Sequence, residues 1–147
     1  MNIFVKHGIA LISALAICLI SLHCATNFAA RGPEFPETLP SLDFVSATLP
    51  GTWQWQKPED SPLTFDTYYD FNSDGNCQVR LSPDDTAVMR TTFSVTEERS
   101  RWSGRPIIVI RVGEHVAWEL LSISPDSFRV RHGGIDLTII DTYARVR

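Results

Sequence analysis

Residues 65–81, FDTYYDFNSDGNCQVRL, decide the fold class of this chain. Apolar side chains alternate with polar ones on both sides of a central Asn-Ser-Asp-Gly sequence. Alternation of this kind is typical of β-strands with one buried face, and Asp-Gly is a strong hairpin-turn signal. The stretch therefore predicts a β-hairpin. Its predicted buried face carries Phe65, Thr67, Tyr69, Phe71, Cys77, Val79 and Leu81.

The same period-two pattern continues over most of the chain beyond residue 50, and no sustained helical period follows it. Turn residues divide the pattern at the spacing of about 8–12 residues that all-β domains show. Residues 107–112 form a continuous β-branched run, which predicts a strand buried on most sides. The connections 57–63 and 82–88 are too short for the long crossover of a Greek-key sandwich. We therefore predict an all-β fold, an antiparallel up-and-down β-barrel of about eight short strands.

The first thirty residues predict an export signal. Lys6 gives a positively charged head, Gly8–Leu22 is an apolar run, and small residues follow up to Ala30. This layout is typical of a secretory signal peptide, and the run is shorter than the roughly 20 residues that cross a bilayer comfortably. An uncleaved membrane anchor and a lipid-linked Cys24 remain alternatives. The predicted location is the periplasm or cell envelope, with membrane contact only through this N-terminal segment.

The net charge limits the classes of partner that this chain can bind, and the cysteine content limits its disulfide bonds. The net charge of −4 gives no electrostatic footprint for nucleic acid, so we predict no nucleic-acid partner. Cleavage of the signal near Ala30 removes Cys18 and Cys24 and leaves Cys77 as a single thiol. No internal disulfide is then possible, and the domain must be stabilised by its core.

A linker separates the signal from the barrel. Residues 31–40, RGPEFPETLP, combine prolines and charges as an extended tether does. Ser41 is a candidate N-cap for a short helical turn that ends near Pro50 and plugs one end of the barrel. The predicted organisation is a signal peptide or anchor at 1–30, a linker with a short helix at 31–48, and the barrel at 49–147.

Three short motifs carry a family resemblance. The sequence LPGTW at 49–53 opens the first predicted strand, YYDFNSDG at 68–75 ends a strand in a turn, and YAR at 143–145 closes the last strand. In this order they resemble the lipocalin-like, or calycin, pattern of small bacterial proteins. The resemblance implies an up-and-down barrel whose first-strand Trp lies at the closed end under a late Arg. The closure residues that it implies are Gly51, Trp53 and Arg145.

The predicted interior is crowded with aromatic rings. An eight-stranded barrel has room for side chains or for one small ligand. The inward set is Trp53, Trp55, Phe65, Tyr69, Phe71, Phe93, Trp118 and Phe128. We therefore expect a filled core or a shallow apolar pocket at one mouth. The candidate ligand-binding residues are Trp55, Tyr69 and Trp118.

No pattern in the sequence indicates catalysis, a cofactor or a metal. Residues 70–76 match a calcium loop at its early positions, but the position of the bidentate acid is Leu81; a hairpin turn is favoured over a weak calcium site. His115 and His132 have no second His or Cys at ligand spacing. Cys77 faces the core and is predicted to be an inert buried thiol.

Arginine is unusually frequent at outward positions. Such side chains form either a solvated face paired with nearby acids or a patch for an anionic partner such as a lipid headgroup or polysaccharide. The residues concerned are Arg80, Arg90, Arg99, Arg101, Arg105, Arg129 and Arg131.

These features together predict an exported lipocalin-like protein that binds a small apolar ligand and is not an enzyme. The alternative is an envelope interaction or inhibitor module with a filled barrel, which the arginine-rich exterior and the crowded interior favour. The candidate partners are therefore a small apolar molecule or an envelope protein.

Overall fold

The computed structural model describes residues 36, 38–59, 61–133 and 138–147. The predicted signal or anchor at 1–30, with Cys24, and the first part of the linker lie outside the described residues. Within the ranges given, no helix combines the length and the apolar character that a membrane crossing requires.

The described part of the chain forms one short helix and eight strands. The helix α1 spans Leu42–Thr48. The strands are β1 (Gly51–Trp55), β2 (Tyr68–Phe71), β3 (Asn76–Arg80), β4 (Met89–Arg99), β5 (Pro106–Val112), β6 (Val116–Ile123), β7 (Ser127–Gly133) and β8 (Thr138–Arg145).

The strands follow one another around a closed antiparallel barrel. Each strand pairs with the next along the chain, and β1 pairs with β8 to close the cylinder, with Trp53 opposite Arg145. This arrangement confirms the predicted all-β, up-and-down barrel. The hairpin that the sequence predicted at residues 65–81 is present as β2 and β3, with Phe71 opposite Cys77 and Tyr69 opposite Val79.

Strand β4 divides its pairing between its two neighbours. Residues 89–92 pair with β3, whereas residues 93–99 pair with β5. The two neighbours therefore meet successive stretches of β4 and not the same stretch, which gives the barrel a strong stagger at this strand. Stagger of this kind accompanies the strand tilt that closes a sheet on itself.

Helix α1 lies before β1 at the end of the barrel where the first strand begins. Ser41 is its N-cap and accepts a hydrogen bond from the backbone N–H of Phe44 (3.2 Å), which confirms the predicted cap. The helix residue Val45 and its C-cap Leu49 are fully buried. The carbonyl of Leu49 accepts a hydrogen bond from the indole Nε1 of Trp53 (2.7 Å), so the helix end and the first strand are fixed to each other.

Burial extends to one patch on the outside of the barrel wall. The loop between β4 and β5 folds back over this patch. Ser100 Oγ and the backbone N–H of Arg101 donate to the carboxylate of Glu119 on β6, each at 2.9 Å. Arg131 on β7 pairs with the same carboxylate at 2.7 Å, and its guanidinium lies 4.7 Å from the ring centroid of Trp102. The sequence placed Arg131 among outward side chains, but the loop covers it and leaves it 1% exposed.

Candidate functional site

Three residues close the barrel at the end where α1 lies. The guanidinium of Arg145 lies 4.1 Å from the centroid of the Trp53 ring. It also donates hydrogen bonds to the backbone carbonyls of Thr48, Pro50 and Pro125. Gly51 has φ +136°, and a Cβ at this position would collide with the Arg145 guanidinium. This end is therefore sealed by a tight set of contacts, and any ligand must enter elsewhere.

An aromatic cluster centred on Tyr69 lies inside the barrel. The Tyr69 ring lies 5.0 Å from Trp118 and 5.6 Å from Tyr143, both edge-on, and 6.1 Å from Phe71. Trp118 and Tyr143 lie 5.3 Å apart. These distances are those of favourable aromatic pairs. The rings therefore form a continuous apolar wall with several π-faces.

Tyr69 is enclosed by these rings and is still partly accessible to solvent. Its hydroxyl makes no hydrogen bond within the described residues, and it is not a fully buried atom. Burial raises the pKa of Tyr69, and the nearby Cys77 and Asp141 add to this effect. The hydroxyl is therefore neutral and borders space inside the barrel.

Other inward side chains border the same kind of space. Three of them lie on β4, none of whose residues is buried, and the other two lie at the ends of β6. These residues are Met89, Phe93, Val95, Val116 and Ile123. Leu120 and Val130, in the middle of β6 and β7, are by contrast fully buried. The arrangement fits an interior with room for a small guest.

A polar cluster of three side chains faces the interior toward the end opposite α1. Asp141 on β8 accepts a hydrogen bond from Trp55 Nε1 through Oδ1 (2.9 Å). Its other oxygen, Oδ2, lies 2.7 Å from His132 Nε2 on β7. The His132 side chain is 24% exposed and that of Asp141 is 12% exposed. The pair is thus sheltered within the barrel and still reachable.

The candidate ligand-binding residues have different surroundings. Tyr69 is partly accessible, whereas Trp55 and Trp118 are 5% and 3% exposed and contribute mainly to the wall.

Sequence reasoning missed His132 and Asp141. The signal was available, because His132 follows Phe128 and Val130 in period two and Asp141 follows Ile139. His132 is the next inward position after Val130, and Asp141 is the next inward position after Ile139.

The remaining groups offer little chemistry. Burial raises the pKa of the Cys77 thiol to about 12, with a further contribution from Asp70, so the thiol stays protonated. His115 is exposed at the turn between β5 and β6. No group of three or more metal-ligating side chains forms within the described ranges. Residues 72–75 make the turn between β2 and β3, where Asp74 accepts hydrogen bonds from Asn76.

Several of the outward arginines are paired with acids on the barrel exterior. Arg80 binds Asp70 at 2.7 Å with both side chains about one-fifth exposed, and Arg111 binds Glu98 at 2.7 Å. The Arg80 contact agrees with a solvated face of paired charges for part of the predicted arginine set, to which Arg111 does not belong. The closed eight-stranded barrel fits a lipocalin-like fold, and no family model, curated protein or solved structure matches this chain.

Proposed function

We propose that this protein is an exported, non-catalytic barrel that binds a small and largely apolar ligand in its interior. The N-terminal sequence supports export, and the lining of the interior supports an apolar guest. The width of an eight-stranded barrel limits that guest to a small molecule.

One observation carries the proposal: Tyr69 lies among aromatic rings inside the barrel and keeps solvent-accessible surface, and its hydroxyl makes no hydrogen bond to the described residues. A protein interior normally fills such space with side chains and pairs such hydroxyls. An apolar enclosure with a few polar groups is the usual form of a ligand pocket. The accessible interior also favours ligand binding over the alternative of an interaction module with a filled barrel.

The experiment measures binding of 2-methylnaphthalene, a small apolar probe, to the full chain as the producing cells process it. Titration followed by the tryptophan indole N–H signals in NMR should show saturable binding that reaches Trp55 and Trp118. Tyr69→Trp adds bulk to the interior and should weaken binding by about tenfold or more, because the added ring occupies the space of the guest.

Val88→Trp is the matched control. Val88 is 58% exposed, so the substitution adds the same side chain on the surface. This variant should bind as the parent protein does. The proposal fails if the probe does not saturate, or if both tryptophan variants bind equally well while unfolding at parental temperatures. Native mass spectrometry of the protein from its own cells should also show a bound small molecule.

A further inference from the structure

The interior of the barrel holds a carboxylate among aromatic and aliphatic side chains. Asp141 lies on β8 between Ile139 and Tyr143 in the inward alternation, and its side chain is 12% exposed. Placing a carboxylate in apolar surroundings is costly unless hydrogen bonds compensate for the lost water. Trp55 Nε1 and His132 Nε2 supply two such contacts, at 2.9 and 2.7 Å.

Among the described residues, the contacts to Asp141 leave acceptor capacity unused. A carboxylate has about four lone-pair sites, and the two contacts occupy one on each oxygen. The single imidazole of His132 can at most balance the negative charge of the Asp141 carboxylate, so the contact creates no excess of positive charge. It therefore offers no attraction to an anion and accepts a further hydrogen-bond donor.

The inward positions around this pair add no opposing positive charge. In the described parts of β1, β2, β3, β5 and β6, inward side chains are uncharged. On β4 the inward alternation ends in Glu97 and Arg99, both exposed, and Arg99 donates to the carbonyl of Gly104. Arg145 is engaged at the sealed end, over Trp53 and on three carbonyls. Lys57 binds Asp66 at 3.1 Å and the carbonyls of Leu63 and Phe65. The field inside the barrel is thus dominated by the carboxylate.

The neighbouring rings favour the same sign of charge in a ligand. Tyr69 contacts Trp118 and Tyr143, and Tyr143 is the next inward residue after Asp141 on β8. The faces of tyrosine and tryptophan rings attract cations, and aromatic enclosures recognise ammonium groups. A carboxylate beside such rings forms a site with two independent reasons to prefer an organic cation.

A hydroxyl at the same end also lacks a partner. Thr67 continues the ladder opposite Trp55, because its carbonyl accepts the Trp55 backbone N–H at 2.9 Å. Its buried Oγ1 has no hydrogen-bond partner within the described ranges. An unpaired buried hydroxyl costs stability. This end of the interior is therefore polar and incompletely satisfied.

We propose that Asp141, with His132 and the rings around Tyr69, binds the polar end of an amine-bearing apolar ligand and discriminates against carboxylates. The inference rests on the proposed function, because it needs the interior to admit a guest. It adds the chemical class of that guest: an organic cation with an apolar ring or chain.

The test uses four probes that share one ring system at pH 8: 2-methylnaphthalene, 2-naphthalenemethanol, 2-(aminomethyl)naphthalene and 2-naphthoate. We expect the full-chain protein to bind the amine about tenfold more tightly than the alcohol, and the carboxylate most weakly. Asp141→Asn, which keeps the shape of the side chain, should remove the preference for the amine over the alcohol.

Asp126→Asn is the control for net charge, because Asp126 lies on the surface with its side chain 66% exposed. It should leave the selectivity unchanged. If Asp141→Asn unfolds, the relative affinities of the parent protein for the amine, the alcohol and the carboxylate carry the test. The inference is overturned if the carboxylate binds as well as the amine, or if the preference survives Asp141→Asn. Failure of all four probes to bind would instead contradict the proposed function.

Discussion

Arg145 and Trp53 face each other across the β1–β8 seam, with the guanidinium 4.1 Å from the centre of the indole. The same guanidinium binds backbone carbonyls before β1 and in the turn after β6. One side chain therefore joins the seam, the N-terminal helix segment and a distant turn. The sealed end of the barrel depends on this residue more than on any other polar contact described for it.

Replacing Arg145 should destabilise the protein strongly. Arg145→Ala removes the contact with Trp53 and the bonds to Pro50 and Pro125, and we expect a loss of about 2–4 kcal/mol in the free energy of unfolding. Arg145→Lys should recover less than half, because lysine lacks the planar fork. Arg147→Ala is the control, since its pair with Asp126 is exposed. Urea denaturation measures all three, and equal effects of the two alanine variants would contradict the assignment.

Gly51 and Arg145 should be coupled in stability. Gly51→Ala places a Cβ at φ +136° and against the guanidinium, so we expect a cost of about 2–4 kcal/mol from strain and collision together. In an Arg145→Ala background the collision is absent and only the strain remains. A double-mutant cycle should therefore show a coupling of about 1 kcal/mol or more. Strict additivity would mean that the two residues do not touch in solution.

Two ion pairs of equal length should differ greatly in their contribution. Glu119 and Arg131 meet at 2.7 Å with side chains 6% and 1% exposed, and Glu98 and Arg111 meet at 2.7 Å with side chains 32% and 44% exposed. Glu119→Gln leaves a buried guanidinium without its counter-charge and should cost about 3–5 kcal/mol. Glu98→Gln should cost less than about 1 kcal/mol. Thermal and urea unfolding of both variants check the contrast, which similar losses would refute.

Asp70 should make stability depend on pH in the acid range. Burial alone raises the pKa of Asp70, but hydrogen bonds from Arg80 and Thr52 outweigh it and hold the pKa below the ordinary value of 3.8. The stabilisation is thus present above pH 3.8 and is lost as the pH falls through the lower folded-state value.

Asp70→Asn should therefore cost about 1–3 kcal/mol at pH 7 and progressively less below pH 4. Urea denaturation at pH 7, 5 and 3 gives the difference between variant and parent at each pH. Asp126→Asn, which changes an exposed carboxylate, should show a small difference throughout. A constant difference for Asp70→Asn from pH 7 to pH 3 would contradict the assignment.

Removing the Tyr69 hydroxyl should hardly change stability. This group makes no hydrogen bond in the described structure, so Tyr69→Phe should alter the free energy of unfolding by less than about 0.5 kcal/mol. Thr52→Val removes a hydroxyl that donates to Asp70 at 2.7 Å and should cost about 1–2 kcal/mol. Comparable losses for the two variants, measured by thermal unfolding, would show that Tyr69 has a partner.

The period-two pattern predicted the barrel, the hairpin around residues 72–75 and the inward direction of Tyr69 and Cys77. These features depend on local alternation and turn chemistry, which a single sequence displays directly. The same alternation also reaches His132 and Asp141, but their contact depends on the β7–β8 register. In that register Asp141 lies opposite Val130, and His132 opposite Ile139. The contact between the two side chains is therefore diagonal, and strand patterns alone do not place it.

The burial of Arg131 was beyond sequence reasoning for a different reason. Its alternation places it on the outer face, and that placement agrees with its partner Glu119 across the β6–β7 ladder. The β4–β5 loop, with Ser100 and Trp102, then covers this face. Whether a loop folds back over a sheet is decided by tertiary contacts that no period in the sequence reports.

The closure of the barrel by β1 and β8 has a consequence for how the chain folds. Every other ladder among the described strands joins consecutive strands, so it forms between neighbours along the chain. The seam between Trp53 and Arg145 must bring together the two ends of the domain, and no contact offsets this loss of chain entropy until the strands meet. We therefore expect an open, curved sheet to form early, and the encounter of its first and last strands to limit the folding rate.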